Sequence, residues 1–186
     1  MNHDEHQHDD DDHDHDHDDA DGDAFDEDVE DEDLSDREAD LEDVREQVAE
    51  LTDGQEVLTL TGEDGQVPAI PKAAAGYGAV VAEFCWSRLK REEQDAFLAT
   101  LRKAAARNAL LVLLDEVYVE GLSNPVARTD AQGTTYEIVN APDGTRIERP
   151  MSYPTDSALR KRLSNAAKEI RVARWEYYWV LTCRFK

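Results

Sequence analysis

Leu110-Leu111-Val112-Leu113-Leu114 is the most apolar run of the chain, and its reading decides the fold. It contains no polar residue and suits a central parallel strand covered on both faces. Upstream, a helix is expected from about Arg91 to Arg107, with Phe97, Leu98, Leu101 and Ala105 on one face. Before it, Ala79 to Phe84 reads as a second buried strand following Gly76 and Gly78. Glu56 to Thr61 reads as a strand closed by Gly62 and Gly65, and Pro68 and Pro71 mark a loop. Further upstream, Ser35-Asp36-Arg37-Glu38 fits a capping box. Leu41, Val44, Val48 and Leu51 recur behind it at helical spacing, and Asp53-Gly54 stops the helix. Downstream, Thr135–Val139 and Thr145–Glu148 flank Asp143-Gly144 as a hairpin. Asp156 to Glu169 is a helix with Leu159, Leu163 and Ala167 aligned, and Ile170–Arg174 and Tyr177–Phe185 close the chain as a strand pair. Strands alternating with helices argue an α/β domain with a largely parallel sheet.

Charge divides the chain in two. Residues 1–50 hold 26 of the 44 acidic residues and two of the 20 basic ones, so residues 51–186 hold 18 of each and are neutral. A salt-adapted protein would spread its acids over the folded surface, so this is a neutral domain carrying a polyanion. Residues 1–33 have only Met1, Ala20, Ala24, Phe25 and Val29 as apolar side chains. They cannot bury enough surface to offset an ordering entropy of about 1–2 kcal/mol per residue. Residues 1–34 are therefore expected to be a disordered Asp/His-rich tail, with the folded unit spanning 35–186. A polyanion beside a neutral domain argues against nucleic acid or anionic lipid as a partner. No secretory signal and no membrane-spanning run is legible, and Cys85 and Cys183 form no CxxC pair. Reduced, buried thiols in a cytoplasmic protein are the expectation.

All six histidines (His3, His6, His8, His13, His15, His17) lie in the tail, interleaved with Asp. They can chelate divalent metals such as Zn²⁺ or Ni²⁺ loosely, but a solvated low-complexity tail is the plainer reading. The domain itself has no histidine, which excludes a Ser-His-Asp triad, a Cys-His pair and a His-based metal site within it. No GxxxxGK[ST] loop is present, and no GxGxxG follows a strand. A general base there would have to be a carboxylate, Tyr, Lys or Cys.

Several segments resemble one family in order. Glu83-Phe84-Cys85-Trp86-Ser87 is similar to the "GFWWS" stretch of a bacterial branch of class I S-adenosylmethionine-dependent methyltransferases. Leu113 to Pro125, LLDEVYVEGLSNP, resembles that branch's "LLDNVYVEGSSTP". Arg128 to Tyr136, RTDAQGTTY, resembles "RTDAEGNTYQ", and Trp175 to Leu181 resembles the closing "LEYYWLL". The resemblance covers residues 77–186. It implies a truncated Rossmann-like sheet with flanking helices, with residues 35–186 forming a partial methyltransferase-like α/β domain.

By the same resemblance, Glu56–Pro68 corresponds to the family's third strand and the loop after it, and Glu63 or Asp64 would meet the cofactor adenine. Glu83, Phe84 and Trp86 would line a cofactor wall; packing at a strand end is their alternative. Asp33-Leu34-Ser35 resembles a "DLS" whose acid binds ribose, yet the preceding residues form no buried strand, and the glycine-rich turn that cradles the cofactor has no counterpart here. In the family's sheet the first two strands lie between the third and the fourth, so the third-strand candidate could close directly onto the fourth and leave little or no pocket. Asp115 and Tyr118 end a strand near where a methyl acceptor would sit. Trp175, Tyr177, Tyr178 and Trp179 read as core rather than substrate box. Two functions stay open: a cytoplasmic S-adenosylmethionine-dependent methyltransferase acting on a small-molecule acceptor, alone or as a homo-oligomer, or an inactive remnant acting as an interaction or metal-sequestering protein.

Overall fold

A computed structural model describes residues 27–71 and 75–186. The expected tail falls outside them, apart from its last residues, which lie in helix α1 (Glu27–Thr52). The other elements are β1 (Val57–Thr61), β2 (Tyr77–Glu83), α2 (Gln94–Ala104), β3 (Ala105–Glu116), β4 (Arg128–Thr129), β5 (Thr135–Asn140), β6 (Arg146–Pro150), α3 (Asp156–Leu163), β7 (Ala167–Arg174) and β8 (Tyr178–Phe185). One turn of 3₁₀ helix, Trp86–Arg88, follows β2. The main sheet has the order β1-β2-β3-β8-β7, and β4-β5-β6 forms a separate antiparallel sheet.

Strand alternation sorts the core into two layers. Leu111 and Leu113 of β3, Val80 and Ala82 of β2, and Trp179 and Leu181 of β8 face α2 and α3, where Phe97, Leu101, Leu159 and Leu163 cover them. Leu110, Val112 and Leu114 turn to the other face with Ala79, Val81 and Val180, beneath Val44 and Val48 of α1. The apolar run at 110–114 is therefore buried on both sides, as its lack of polar residues requires. Of the closing aromatics expected in the core, Tyr177, Tyr178 and Trp179 are buried, while Trp175 is half-buried at the core's margin. Both cysteines are free and buried, and burial pushes each thiol up to about 12, away from the thiolate form.

The sheet is largely parallel, as expected, with one exception: β1, β2, β3 and β7 run in one direction, and β8 runs antiparallel to both of its neighbours. Two helices are shorter than the sequence suggests. The expected helix to Arg107 ends at Ala104, because Ala105 is extended and already opposite Tyr77 of β2. The expected helix to Glu169 ends at Leu163, because Ala167 and Lys168 pair with Phe185 and Arg184. In both places helix-favouring residues, Ala and Arg at 105–107 and Ala, Lys and Glu at 167–169, yield to the cross-strand ladder. Ser35 lies inside α1 and caps nothing, since the Glu-rich sequence before it continues the helix. The short strand β4 has no apolar alternation and escapes a sequence reading.

Candidate functional site

The carboxyl ends of the three parallel strands lie along one edge of the sheet, where α/β proteins commonly hold ligands. Four of the five residues expected to contact a cofactor gather there. β1 ends beside β2: the Gly62 N–H donates to the Glu83 carbonyl at 2.8 Å. Glu63 and Asp64 follow in an exposed turn closed by reciprocal backbone bonds between Glu63 and Gln66, with Asp64 in the left-handed region at φ 48°. Phe84 is also left-handed, at φ 53°; its N–H donates to the Leu114 carbonyl at 2.8 Å, and its ring meets Tyr178 edge-on.

Glu83 is buried, and its carboxylate is already paired. Arg45 of α1 donates to Oε2 at 2.8 Å and to Oε1 at 3.4 Å. Trp86 stands apart from the other four, 2% exposed in the core between the sheet and α2. Its surroundings match packing at a strand end, the alternative the sequence left open.

Next along the edge is Asp115, fully buried at the end of β3. Oδ2 accepts from the Ser87 N–H at 2.8 Å; Oδ1 accepts from the Ser87 hydroxyl at 2.6 Å and from the Glu116 N–H at 3.0 Å. Burial pushes this carboxyl up to about 6, against the pull of the three donors. Asp115 thus pins the 3₁₀ turn to β3. Tyr118 is 38% exposed and packs edge-on against Tyr153, with ring centroids 5.3 Å apart, over an open cleft that also holds Val117 and Arg174.

A polar cavity of about 150 Å³ adjoins this edge. Glu116 lies between Arg37 of α1 and Arg88, and Glu137 accepts from Arg88 at 3.2 Å, Arg149 at 2.8 Å and Asn124 at 3.2 Å. Tyr153 and Ser123 complete its wall. None of these ion-pair partners was legible in the sequence: Arg37 and Glu116 are 79 residues apart, and only the fold joins them.

The residues present do not make a cradle for a nucleotide-sized cofactor between β1 and β2. A Cβ on Gly62 would lie 2.1 Å from the Phe84 carbonyl oxygen, so the two strand ends are in contact. The expected closure of the third-strand candidate directly onto the next strand is therefore what the sheet contains: β1 pairs with β2 from Val57 opposite Ala79 to Thr61 opposite Glu83. Among the described residues there is no group of three or more His, Cys, Asp or Glu placed to hold a metal ion, and no helix is long and apolar enough to cross a membrane. The tail histidines lie outside the described residues.

No protein-family model matches the chain, and no curated protein matches it. Solved structures do. A DhpI complex with S-adenosylhomocysteine shares 16% identity over 63% of this chain and 50% of its own, with a TM-score of 0.48. A putative S-adenosylmethionine-dependent methyltransferase from Listeria monocytogenes shares 10% identity over 63% of this chain and 65% of its own, with a TM-score of 0.43. The glycopeptide N-methyltransferase MtfA in complex with S-adenosyl-L-methionine shares 14% identity over 67% of this chain and 63% of its own, with a TM-score of 0.41. The chain spans about half the length of the first two solved structures it matches.

Proposed function

We propose that the chain is an S-adenosylmethionine-dependent methyltransferase-like protein with a small-molecule methyl acceptor. The observation that carries this reading is convergence. Three of the four segments that resemble the family, 83–87, 113–125 and 175–181, are far apart in sequence and meet at one place, with the fourth, 128–136, beside them. The Phe84 N–H bonds to the Leu114 carbonyl and Ser87 bonds to Asp115. The Val117 N–H donates to the Tyr177 carbonyl at 2.8 Å, and the Ala127 N–H to the Tyr136 carbonyl at 2.8 Å. Arg88 of the 3₁₀ turn then reaches Glu137 beside the third segment. The polar cavity at that edge has a size and lining suited to a small polar acceptor.

In this reading the chain's residues position and shield an acceptor; methyl transfer from a sulfonium needs orientation more than acid–base help, which agrees with a domain lacking histidine. The contact between β1 and β2 does not fit the cofactor as the residues stand, so no reaction step is assigned to them. The rest of the crevice would come from a second copy of the chain.

A second reading, a non-catalytic interaction or metal-sequestering protein, is favoured by two details. β1 closes onto β2, and Arg45 already occupies the Glu83 carboxylate. Calorimetric titration of S-adenosylmethionine, and separately S-adenosylhomocysteine, into the full chain separates the two. Micromolar binding, about −8 kcal/mol, supports the methyltransferase reading. Absence of heat and of any thermal shift at millimolar ligand, in a sample folded by circular dichroism, overturns it and leaves the second.

A further inference from the structure

On the α2/α3 side of the sheet, a cavity of about 120 Å³ lies between the 3₁₀ turn, the β5 hairpin and α3. Its floor is apolar, formed by Trp86, Leu89 and Leu159, and its mouth carries Arg91 and Arg162. Two residues lining it each carry a buried polar atom without a hydrogen-bond partner among the described residues: the Ser152 hydroxyl and the Arg162 Nε–H. The nearest carboxylate to that Nε is Asp95, 73% exposed and 3.5 Å away, close enough for an ion pair and too poorly placed for a hydrogen bond.

The two arginines are held in place. Arg162 Nη2 donates to the Arg91 carbonyl at 2.6 Å, and the Arg91 N–H donates to the buried Thr134 hydroxyl at 2.8 Å. Arg91's side chain lies over Gly133, where a Cβ would come within 3.2 Å of Nη1. Its guanidinium has no carboxylate partner among the described residues. A neighbouring cavity shares Arg91 and Arg162 and adds Lys161 and Asp95.

Buried donors without acceptors cost about 1–3 kcal/mol each unless something accepts from them. Here the unmet groups are donors, the mouth carries two arginines against the exposed carboxylate of Asp95, and the floor is apolar. We infer that this cleft is a binding site for a small organic anion, in which a carboxylate or phosphate group accepts from Arg162 Nε–H, the Ser152 hydroxyl and the Arg91 guanidinium while a compact apolar body rests on Trp86 and Leu89. The site shares the 3₁₀ turn with the carboxyl edge but does not rest on the proposed methyl transfer.

The test is a titration of the full chain at constant ionic strength with benzoate, phenyl phosphate and, as the neutral analogue, benzyl alcohol, followed by amide and indole chemical shifts. The expected result is saturable binding of one or both anions, with shifts at Ser152 and the Trp86 indole, and no comparable binding of the alcohol. Whichever anion binds more tightly identifies the head group. Arg91→Gln and Ser152→Ala, each checked for unchanged thermal unfolding, weaken that binding by about tenfold, the loss of one charge-assisted or buried hydrogen bond. Equal binding of the alcohol, no saturable binding, or affinity unchanged in both variants would overturn the assignment and leave the cavity to water.

Discussion

Replacing Asp115 with Asn tests whether burial or hydrogen bonding governs the most enclosed charge in the domain. The carboxylate is fully buried and accepts three hydrogen bonds, two from Ser87 and one from Glu116. Asn keeps the shape but turns one acceptor into a donor, so one of those three donors faces an amide NH₂ and is left unmet. That costs about 1–3 kcal/mol near pH 7. The pH dependence is the sharper part. Burial raises the folded carboxyl from 3.8 to about 6, so the folded state binds the proton more tightly than the unfolded one. A raised acid adds stability at low pH that is lost as pH rises through about 6. Acidifying from about pH 7 to about pH 5 should therefore stabilise the wild type by about 1 kcal/mol relative to Asp115→Asn, which cannot titrate there. Urea unfolding of both proteins, followed by the fluorescence of their three tryptophans at the two pH values and one ionic strength, measures this difference. A gap between the proteins that is equal at both pH values, or widens at the higher one, refutes the reasoning. It would mean that the three donors hold Asp115 ionised in spite of its burial.

Three other outcomes follow from the same edge and its surroundings. Gly62→Ala forces a methyl against the Phe84 carbonyl at 2.1 Å and should cost about 2–3 kcal/mol by pushing β1 from β2; a loss below about 0.5 kcal/mol in urea unfolding would show that the strand ends yield easily. Arg45→Met leaves Glu83 buried without its partner and should cost about 1 kcal/mol, since Arg45 itself is 48% exposed and screened. A double-mutant cycle with Glu83→Gln should return a coupling of about that size, and a coupling of zero would remove the pair from the account of how α1 is held. Thr155→Ala removes the hydroxyl that accepts from the Ala158 N–H at 3.2 Å at the start of α3, and should lower stability by about 1 kcal/mol; Thr155→Ser should recover most of it, and failure to do so would point to packing rather than capping.

The sequence made the strands legible where burial alone decided them. Val57–Thr61, Ala79–Glu83, Leu110–Leu114 and Tyr178–Phe185 are strongly apolar segments, and each forms a strand. The hairpin around Asp143-Gly144 and the direct closure of β1 onto β2 were also readable. What was not legible depended on partners distant in sequence. Ala105–Arg107 and Ala167–Glu169 carry helix-favouring residues, and nothing nearby in sequence tells them that Tyr77 or Phe185 will lie opposite. Positive φ at Asn108 and Glu169 marks where the backbone bends to make those pairings. At the site, the placement of Glu63, Asp64, Glu83 and Phe84 at one edge followed from their positions after strands. That Glu83 would be held by Arg45, and Glu116 by Arg37, needed the path of α1 across the sheet. Pairing of this kind is a property of the fold and has no local signature.

The position of β8 sets an order on the making of this protein. It lies between β3 and β7, with Leu181 opposite Leu113 on one side and Val172 on the other. During synthesis the chain emerges from its N-terminal end, so β3 is complete at Glu116 while the strand that covers its open flank begins only at Tyr178. Until then the most apolar strand of the molecule offers an unpaired edge, with its two faces covered only by the earlier helices α1 and α2. A nascent chain paused anywhere between β3 and β8 is therefore a sticky half-sheet, and rapid translation of that interval, or a holding chaperone, is what would keep it from joining a neighbour instead.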